Sequence, residues 1–260
     1  MNPSKYAYLD VTVENQVATI RLNRPPYNAL NIAMMKEIAV AHALLDKTEN
    51  VRAILLTSAV DGYFSNGLDI DDLLEADSGG KLAIFENLYD MCQAIYSSPK
   101  IHAAFLNGHA MAGGAVCAAM SDFRFFSEGQ YRISFSETRI GLALPQVFLK
   151  IIKSIVGVQN LKNTALLAQA YKPHEAREIN LVDDLFAPHE ALSKIHKFLA
   201  RTLQIPTESY RAVKDNMRKE YIEMLQTDKK ATLEWISRFF TDNLTEGLRA
   251  SKEKRRANFK

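Results

Sequence analysis

Three stretches of this 260-residue chain carry residue types at spacings that can do chemistry. The first is "HAMAGGAVCAAM" (109–120), where Gly113 and Gly114 interrupt a small, apolar run. Glycine in a helix interior costs roughly 1 kcal/mol relative to alanine, so two in succession need a reason. "HAAFL" ahead of Asn107-Gly108 reads as a strand, and the residues after Gly113 read as a helix. Gly113 then stands at a helix N-terminus, where its N–H has no partner in the helix and no Cβ obstructs an acceptor. Such a donor suits an oxyanion. A tight strand-to-helix turn that needs glycine only for packing fits the same residues.

The second stretch, "GYFSNGLDIDDL" (62–73), also follows an apolar strand and turns at a glycine, Gly67, before an acidic helical start. The Leu68 N–H is a second candidate donor, so two glycine turns after parallel strands can present two N–H groups to one carbonyl oxygen. An ordinary loop with Asp69 or Asp71 as helix N-cap is the alternative. The third, "SFSETRIGLALP" (134–145), sets Glu137 in a mostly apolar passage. An unpaired carboxylate is costly there, and burial raises its pKa toward neutrality, which suits proton transfer. A pair with Arg139, or a cap, is the structural alternative.

Other chemistries lack their residues. The run from Gly108 has the outline of a phosphate loop, but Gly114-Ala115 stand where lysine and a hydroxyl are needed. There is no G-x-G-x-x-G after the first strand, no G-x-S-x-G and no H-E-x-x-H. The six histidines are scattered, with His174 and His189 in polar surroundings, so neither a metal nor a nicotinamide is expected.

The elements that must hold these stretches follow from patterning. Hydrophobic residues make up 47% and charged residues 24% of the chain, which is enough apolar surface for one large domain, or one with an appendage. A net charge of +2 gives no reason to expect nucleic acid. The basic end "SKEKRRANFK" is either a solvated helix end or a phosphate-facing tail. Cys92 and Cys117 are far apart in apolar surroundings and read as buried free thiols of a reducing compartment. "MNPSKYAYLD" has no apolar leader core, and no run reaches the length of a membrane span, so a cytoplasmic protein without membrane contact is expected.

"AYLDVTVE" and "VATIRLN" alternate with period two around Asn15-Gln16, which predicts a hairpin. A helix follows, with Ile32, Met35, Ile38, Ala39, His42 and Leu45 on one face. "VRAILLTSA", "KIHAAFLNG" and "DFRFFSE" read as strands, with a long amphipathic helix before Pro99. Strands alternating with helices argue for parallel β/α units buried on both faces. Beyond Pro188 only helical patterns remain. The reading is a core over 1–187 and an all-helical region over 188–260, whose apolar residues, Trp235, Phe239 and Phe240 among them, ask for further surface such as another subunit.

Together these segments resemble the crotonase (enoyl-CoA hydratase/isomerase) superfamily across nearly the whole chain. "RLNRPPYNALN" is similar to its early segment, "FSNGLDIDDL" to its F-[SA]-x-G-x-D-[IL] loop, and "NGHAMAGGAVCAAMSDFRF" to its N-G-x-x-x-G-G turn. "KPHEAREINLVDDLF" resembles its A-x-x-x-G-L-V-[DN] passage, with Asn180 for the usual glycine, and "EGLRASKEKRRANF" resembles its terminus. The resemblance implies an α/β fold, a crotonase-type spiral of ββα units with a helical C-terminal region. It also implies homotrimers or dimers of trimers, and an acyl-CoA thioester as ligand, with no cofactor beyond the coenzyme A of the substrate.

Residue by residue, the resemblance carries an oxyanion hole onto Leu68 and Gly113. It carries substrate contacts onto Asn66, Gly67, Asp69, Ile70, Gly114, Val116 and Lys254. Hydratases of the family use two glutamates; the first position is Val116 here, and the second is Glu137. An apolar Val116 cannot help to activate a water, whereas a single base can move a proton from the α-carbon to the γ-carbon of a 3-enoyl thioester. The expectation is therefore a Δ3,Δ2-enoyl-CoA isomerase, with another acyl-CoA reaction such as hydration, or a catalytically silent acyl-CoA-binding trimer, as alternatives. The family's adenine-site lysine is Asp71 here, and its C-terminal aromatic is Ser251.

Overall fold

A computed structural model describes residues 6–260, so the expectation about a leader ahead of Tyr6 lies outside the described residues. Four strand–strand–helix units follow one another. They are β1 (Leu9–Glu14), β2 (Val17–Leu22) and α1 (Ile32–Asp46), then β3 (Ala53–Ser58), β4 (Gly62–Ser65), a short α2 (Ile70–Glu75) and α3 (Ser78–Tyr96). The third holds β5 (Ile101–Leu106), β6 (Gly108–Met111) and α4 (Gly113–Ala119), and the fourth β7 (Phe123–Ser127), β8 (Ile133–Ser134) and α5 (Gln146–Leu161). After α6 (Pro173–Glu178) and β9 (Asp184–Phe186) come α7 (Ala191–Thr202), α8 (Thr207–Thr227), α9 (Lys229–Ser237) and α10 (Asp242–Lys252). This is the expected α/β spiral of ββα units.

The expected hairpin turns at Asn15 and Gln16, both at positive φ (49° and 65°), as a two-residue hairpin turn requires. The larger sheet runs β1-β2-β3-β5-β7-β9 and is parallel beyond the hairpin, while β4-β6-β8 form a second, parallel sheet. Patterning alone reads 62–65 and 108–111 as parts of glycine turns, and here the structure differs. Four residues are too few to show a period of two, and these strands form only because their neighbours in the chain bring them side by side. Gly108 lies directly on Gly62, so closely that a Cβ would collide with the backbone of Gly62 and Tyr63.

β3 and β5 are buried along their whole length because helices cover both faces. One face meets α1, α3, α4 and α5 through Ile20, Ile54, Leu56, Leu106 and Phe126. The other face, with Leu55, Ala103 and Phe125, is covered by Ile195 and Leu199 of α7. Part of the C-terminal apolar surface is thus spent on the chain's own sheet. Phe240 stacks on Phe85 at 5.5 Å and Trp235 meets Phe239 edge to face at 4.9 Å, leaving Trp235, Phe239 and Phe240 half-buried. On α1 the expected face is shifted slightly: Met34 and Ala41 join Met35, Ile38, His42 and Leu45 in the core, while Ile32 and Ala39 are half-buried.

Helix α8 docks through an ionic knot. Asp122 takes Lys214 at 2.9 Å and Arg218 at 2.7 Å, plus hydrogen bonds from Tyr210 and the His102 N–H. All partners are bonded, which such burial demands. Beside it two buried histidines meet, His42 Nε2 and His102 Nε2 being 2.9 Å apart. Burial holds both below the usual imidazole value, His42 at about 4, and Lys214 pushes each further down. The native state therefore binds fewer protons than the unfolded chain below pH ~6.5, so stability is full above that value and falls as pH drops toward the folded pKa. We expect the urea midpoint to fall between about pH 6.5 and 4.5, His42 alone contributing about 3 kcal/mol at full protonation. His42→Gln, which keeps a hydrogen-bonding group without titrating, should make that decline shallower.

Candidate active site

The site begins at Asn28, a buried residue in left-handed backbone (φ 48°). Its Nδ2 donates to Ser58 Oγ at 2.7 Å and the Phe64 carbonyl at 3.1 Å, and its Oδ1 accepts from the Arg24 N–H at 2.7 Å. The Asn28 carbonyl accepts from Ser65 Oγ at 2.7 Å, so one side chain and one backbone group tie three segments together. This fixes Leu30 beside the 66–69 loop, where the Leu30 N–H donates to the Gly67 carbonyl (2.7 Å) and the Asp69 N–H donates to the Leu30 carbonyl (3.1 Å). In extended chain, successive backbone groups point to opposite sides. With Gly67 and Asp69 turned to Leu30, the Leu68 N–H faces the other way, and it has no acceptor among the described residues.

The second loop reaches the same place. Ala112, at φ 44° and ψ −122°, swings the chain so that α4 starts at Gly113, whose N–H also has no acceptor among the described residues. The loops touch backbone to backbone. A Cβ on Gly67 would stand 2.8 Å from the Met111 carbonyl oxygen and 3.1 Å from the Gly113 nitrogen. One on Gly114 would stand 2.8 Å from Ser65 Cβ. Gly67 and Gly114 are buried packing positions outside the cavity lining. Gly113 is different: an added Cβ would make only ordinary contacts, but it would sit 3.5 Å from the Leu68 nitrogen, between the two donors.

Leu68 and Gly113 open into an apolar cavity of about 140 Å³, shared with Asn66, Ile70, Met111, Val116 and Glu137. Its far end is closed by Phe85, Tyr89 and Phe148, and its C-terminal wall by Leu233, Ile236, Leu248 and Ser251. Glu137 heads a four-residue 3₁₀ helix, Glu137–Ile140, in the passage from β8 to α5. It is 6% exposed, its Oε2 is buried with no hydrogen-bond partner, and it forms no ion pair with Arg139 or any other described residue. Burial pushes its carboxyl up to about 7, against a backbone hydrogen bond that favours ionisation. Among the described residues it is the only carboxylate lining the cavity. Val116, 1% exposed, lies one turn into α4 on the same cavity. Two free donors and one unpaired carboxylate around an apolar space can polarise a carbonyl and move a proton beside it.

The remaining expected site residues lie outside. Asn66, Leu68, Ile70 and Ser251 also border an outer cleft of about 980 Å³, lined further by Tyr8, Arg24, Tyr27, Asp69, Asp71, Lys252 and Lys254. Asp69 is the N-cap of α2, accepting from the Asp71 and Asp72 N–H groups, and pairs with Arg24 at 2.7 Å. Asp71 pairs with Lys252 at 2.5 Å. Lys254, held at φ 53°, has no ion-pair partner among the described residues. Patterning missed the roles of Ser65, Ala112 and Asn28, although all three stood in quoted stretches, because none is locally unfavourable where it stands.

A family model described as enoyl-CoA hydratase/isomerase matches residues 12–260. The mouse protein named enoyl-CoA delta isomerase 1, mitochondrial, is 25% identical over 96% of this chain and 89% of its own. A short-chain-enoyl-CoA hydratase of Clostridium acetobutylicum is 30% identical over 69% of each chain. The crystal structure of human mitochondrial delta3-delta2-enoyl-CoA isomerase superposes with a TM-score of 0.91 at 23% identity, covering 95% of this chain and 97% of that one.

Burial of an ionisable Glu137 has a consequence independent of any reaction. Its folded pKa lies above the unfolded one, so its contribution to stability is full below pH ~4.5 and lost as pH rises through about 7. Glu137→Gln should therefore be more stable than the native protein at pH 8, by on the order of 2–3 kcal/mol, and so unfold at a higher temperature there, and match it near pH 4. Parallel thermal melts of the two proteins across that range check this.

Proposed function

The chain belongs to the enoyl-CoA hydratase/isomerase family, and we propose that within it the protein is a Δ3,Δ2-enoyl-CoA isomerase working with one base. The observation that carries this reading is the lone, unpaired Glu137 facing Val116 in a cavity that offers two free N–H donors. The thioester oxygen accepts from the Leu68 and Gly113 N–H groups, and the acyl chain lies along the apolar walls. Glu137 takes a proton from the α-carbon, the dienolate negative charge rests on the thioester oxygen, and the same carboxyl returns the proton at the γ-carbon. Each oxyanion donor is worth roughly 3 kcal/mol in the transition state. Coenzyme A is part of the substrate, and no separate cofactor enters.

Hydration would need a second group to hold and activate water. Val116 offers none and adds only apolar surface to the cavity that holds Glu137, which supports isomerisation over hydration. The outer cleft suits the nucleotide end of coenzyme A, with Lys254 as its unpaired cation, while Asp69 and Asp71 are neutralised by Arg24 and Lys252. Two buried, unbridged cysteines favour a reducing compartment, which we take to be the cytoplasm. Among the described residues, no helix is long and apolar enough to cross a membrane.

The test is turnover of 3-enoyl-CoA and 2-enoyl-CoA side by side. Isomerisation should outrun hydration and rise through about pH 7 as Glu137 ionises, and Glu137→Gln should abolish it without loss of ligand binding. Faster hydration than isomerisation would overturn the reading, and tight binding without turnover would point to a silent binder. We further propose a homotrimer or dimer of trimers, supported by the exposed Val213 and Met217 on α8 and Val158 on α5. Light scattering should then give three or six times the 29.3 kDa chain mass, and a monomer across a concentration series would refute it.

A further inference from the structure

We propose that Gly247 of α10 is a positioning residue for Glu137, because its missing side chain seats α10 directly on the backbone of the short helix that carries the carboxylate. The proposal rests on the reading of Glu137 as the base. Glycine is a destabilising choice in the middle of an 11-residue helix, and Gly247 has no positive φ that would explain it. What explains it is contact: a Cβ there would fall 2.6 Å from the carbonyl carbon of Ile140, the last residue of the Glu137 helix. The contact is matched from the other side. Gly141, at φ 76°, ends that helix so close to α10 that its own Cβ would be 3.0 Å from the Asn243 carbonyl carbon and 3.2 Å from the Leu244 nitrogen.

The two partners are unequally anchored. The Glu137 helix is four residues long, closed by hydrogen bonds from the Leu142 N–H to the Glu137 carbonyl (3.0 Å) and the Gly141 N–H to the Thr138 carbonyl (3.4 Å). Helix α10 is fixed along its length. Leu244 and Leu248 are buried, Lys252 pairs with Asp71, and Glu246 holds Arg255 in a two-bond fork (2.6 and 2.9 Å) while accepting from the Asn258 N–H. Asp71 lies in the first turn of α2, three residues after Leu68. One rigid helix therefore touches the carboxylate's helix at one end and the segment after an N–H donor at the other. A methyl group at residue 247 must displace one partner, and the less anchored one carries Glu137.

The experiment is the Gly247→Ala enzyme assayed on 3-enoyl-CoA, per folded site, across about pH 5 to 9. Displacement of the base by about 1 Å predicts a kcat lower by roughly 10- to 100-fold with KM within about twofold. The midpoint at which activity rises with pH should also move down from the native value, as a displaced carboxyl gains water. Tyr89 of α3 is the only other titratable side chain among the described lining residues, and Glu137 itself has no charged partner among the described residues, so the midpoint reports Glu137. An unchanged kcat and midpoint, with only a lower melting temperature, would overturn the proposal and leave Gly247 a packing residue. Should Gly247→Ala fail to fold, Gly141→Asn, whose side chain tolerates the left-handed φ of 76°, presses on the adjoining contact with Asn243 and Leu244 and is read the same way. If the native protein turns over no 3-enoyl-CoA, it is the proposed function that has failed. The positioning claim is then read from the pH dependence of the stability difference between native protein and Glu137→Gln, in the native and Gly247→Ala backgrounds. A difference that is the same in both backgrounds would refute it.

Discussion

The close approach of two loops, those following β4 and β6, is the constraint on which the rest of the site depends. It is possible only because Gly67 and Gly114 present bare backbone to Met111 and Ser65. The approach itself follows from the repeat. Each of the middle ββα units sends its first strand to the large sheet and its second to the small one, so β4 and β6 pair although 42 residues (66–107) lie between Ser65 and Gly108. Once paired, the chain leaves both strands at the same end. Asn28, from the first unit, ties itself to Phe64 and Ser65, and Leu30 beside it takes up the hydrogen-bonding groups of Gly67 and Asp69, leaving the Leu68 N–H free on the other side. Two free donors in one cavity are thus a product of alternation along an extended segment and of one strained residue, Ala112.

The opposite wall follows a different logic. Glu137 is kept without a partner in an apolar space, an arrangement that costs stability at neutral pH and persists because neighbouring elements leave the carboxyl no alternative. Its helix is too short to hold itself, so orientation is borrowed from α10 through glycine-to-backbone contact. The outer cleft shows the contrasting case, where every carboxylate lining it is matched by a cation and Lys254 is left over. Buried charge away from the cavity is treated more conventionally: Asp122 is fully bonded by Lys214, Arg218 and Tyr210 and serves to dock α8. The molecule thus distinguishes a carboxylate that builds the fold from one that is left open to a ligand.

Sequence alone determined what depends on local pattern. Period-two alternation marks the β1–β2 hairpin, continuous apolar runs mark β3, β5 and β7, and the helical faces after Pro188 mark α7 to α10. The glycine pairs and the isolated Glu137 were legible as candidates because glycine in an apolar run and a carboxylate among apolar residues are each locally unfavourable. Only the tertiary structure decided what surrounds each of them. Strands β4 and β6 have four residues apiece and no period to read, so they exist only by pairing across the repeat. Gly67, Gly113 and Gly114 look alike in the sequence, yet two are needed for packing and the third carries a free donor, a difference set by what stands within 4 Å of each. Whether Glu137 met Arg139, a cap or nothing was likewise decided by burial among α3, α5 and α10, because a charge's partner is a matter of distance in space and not of spacing along the chain.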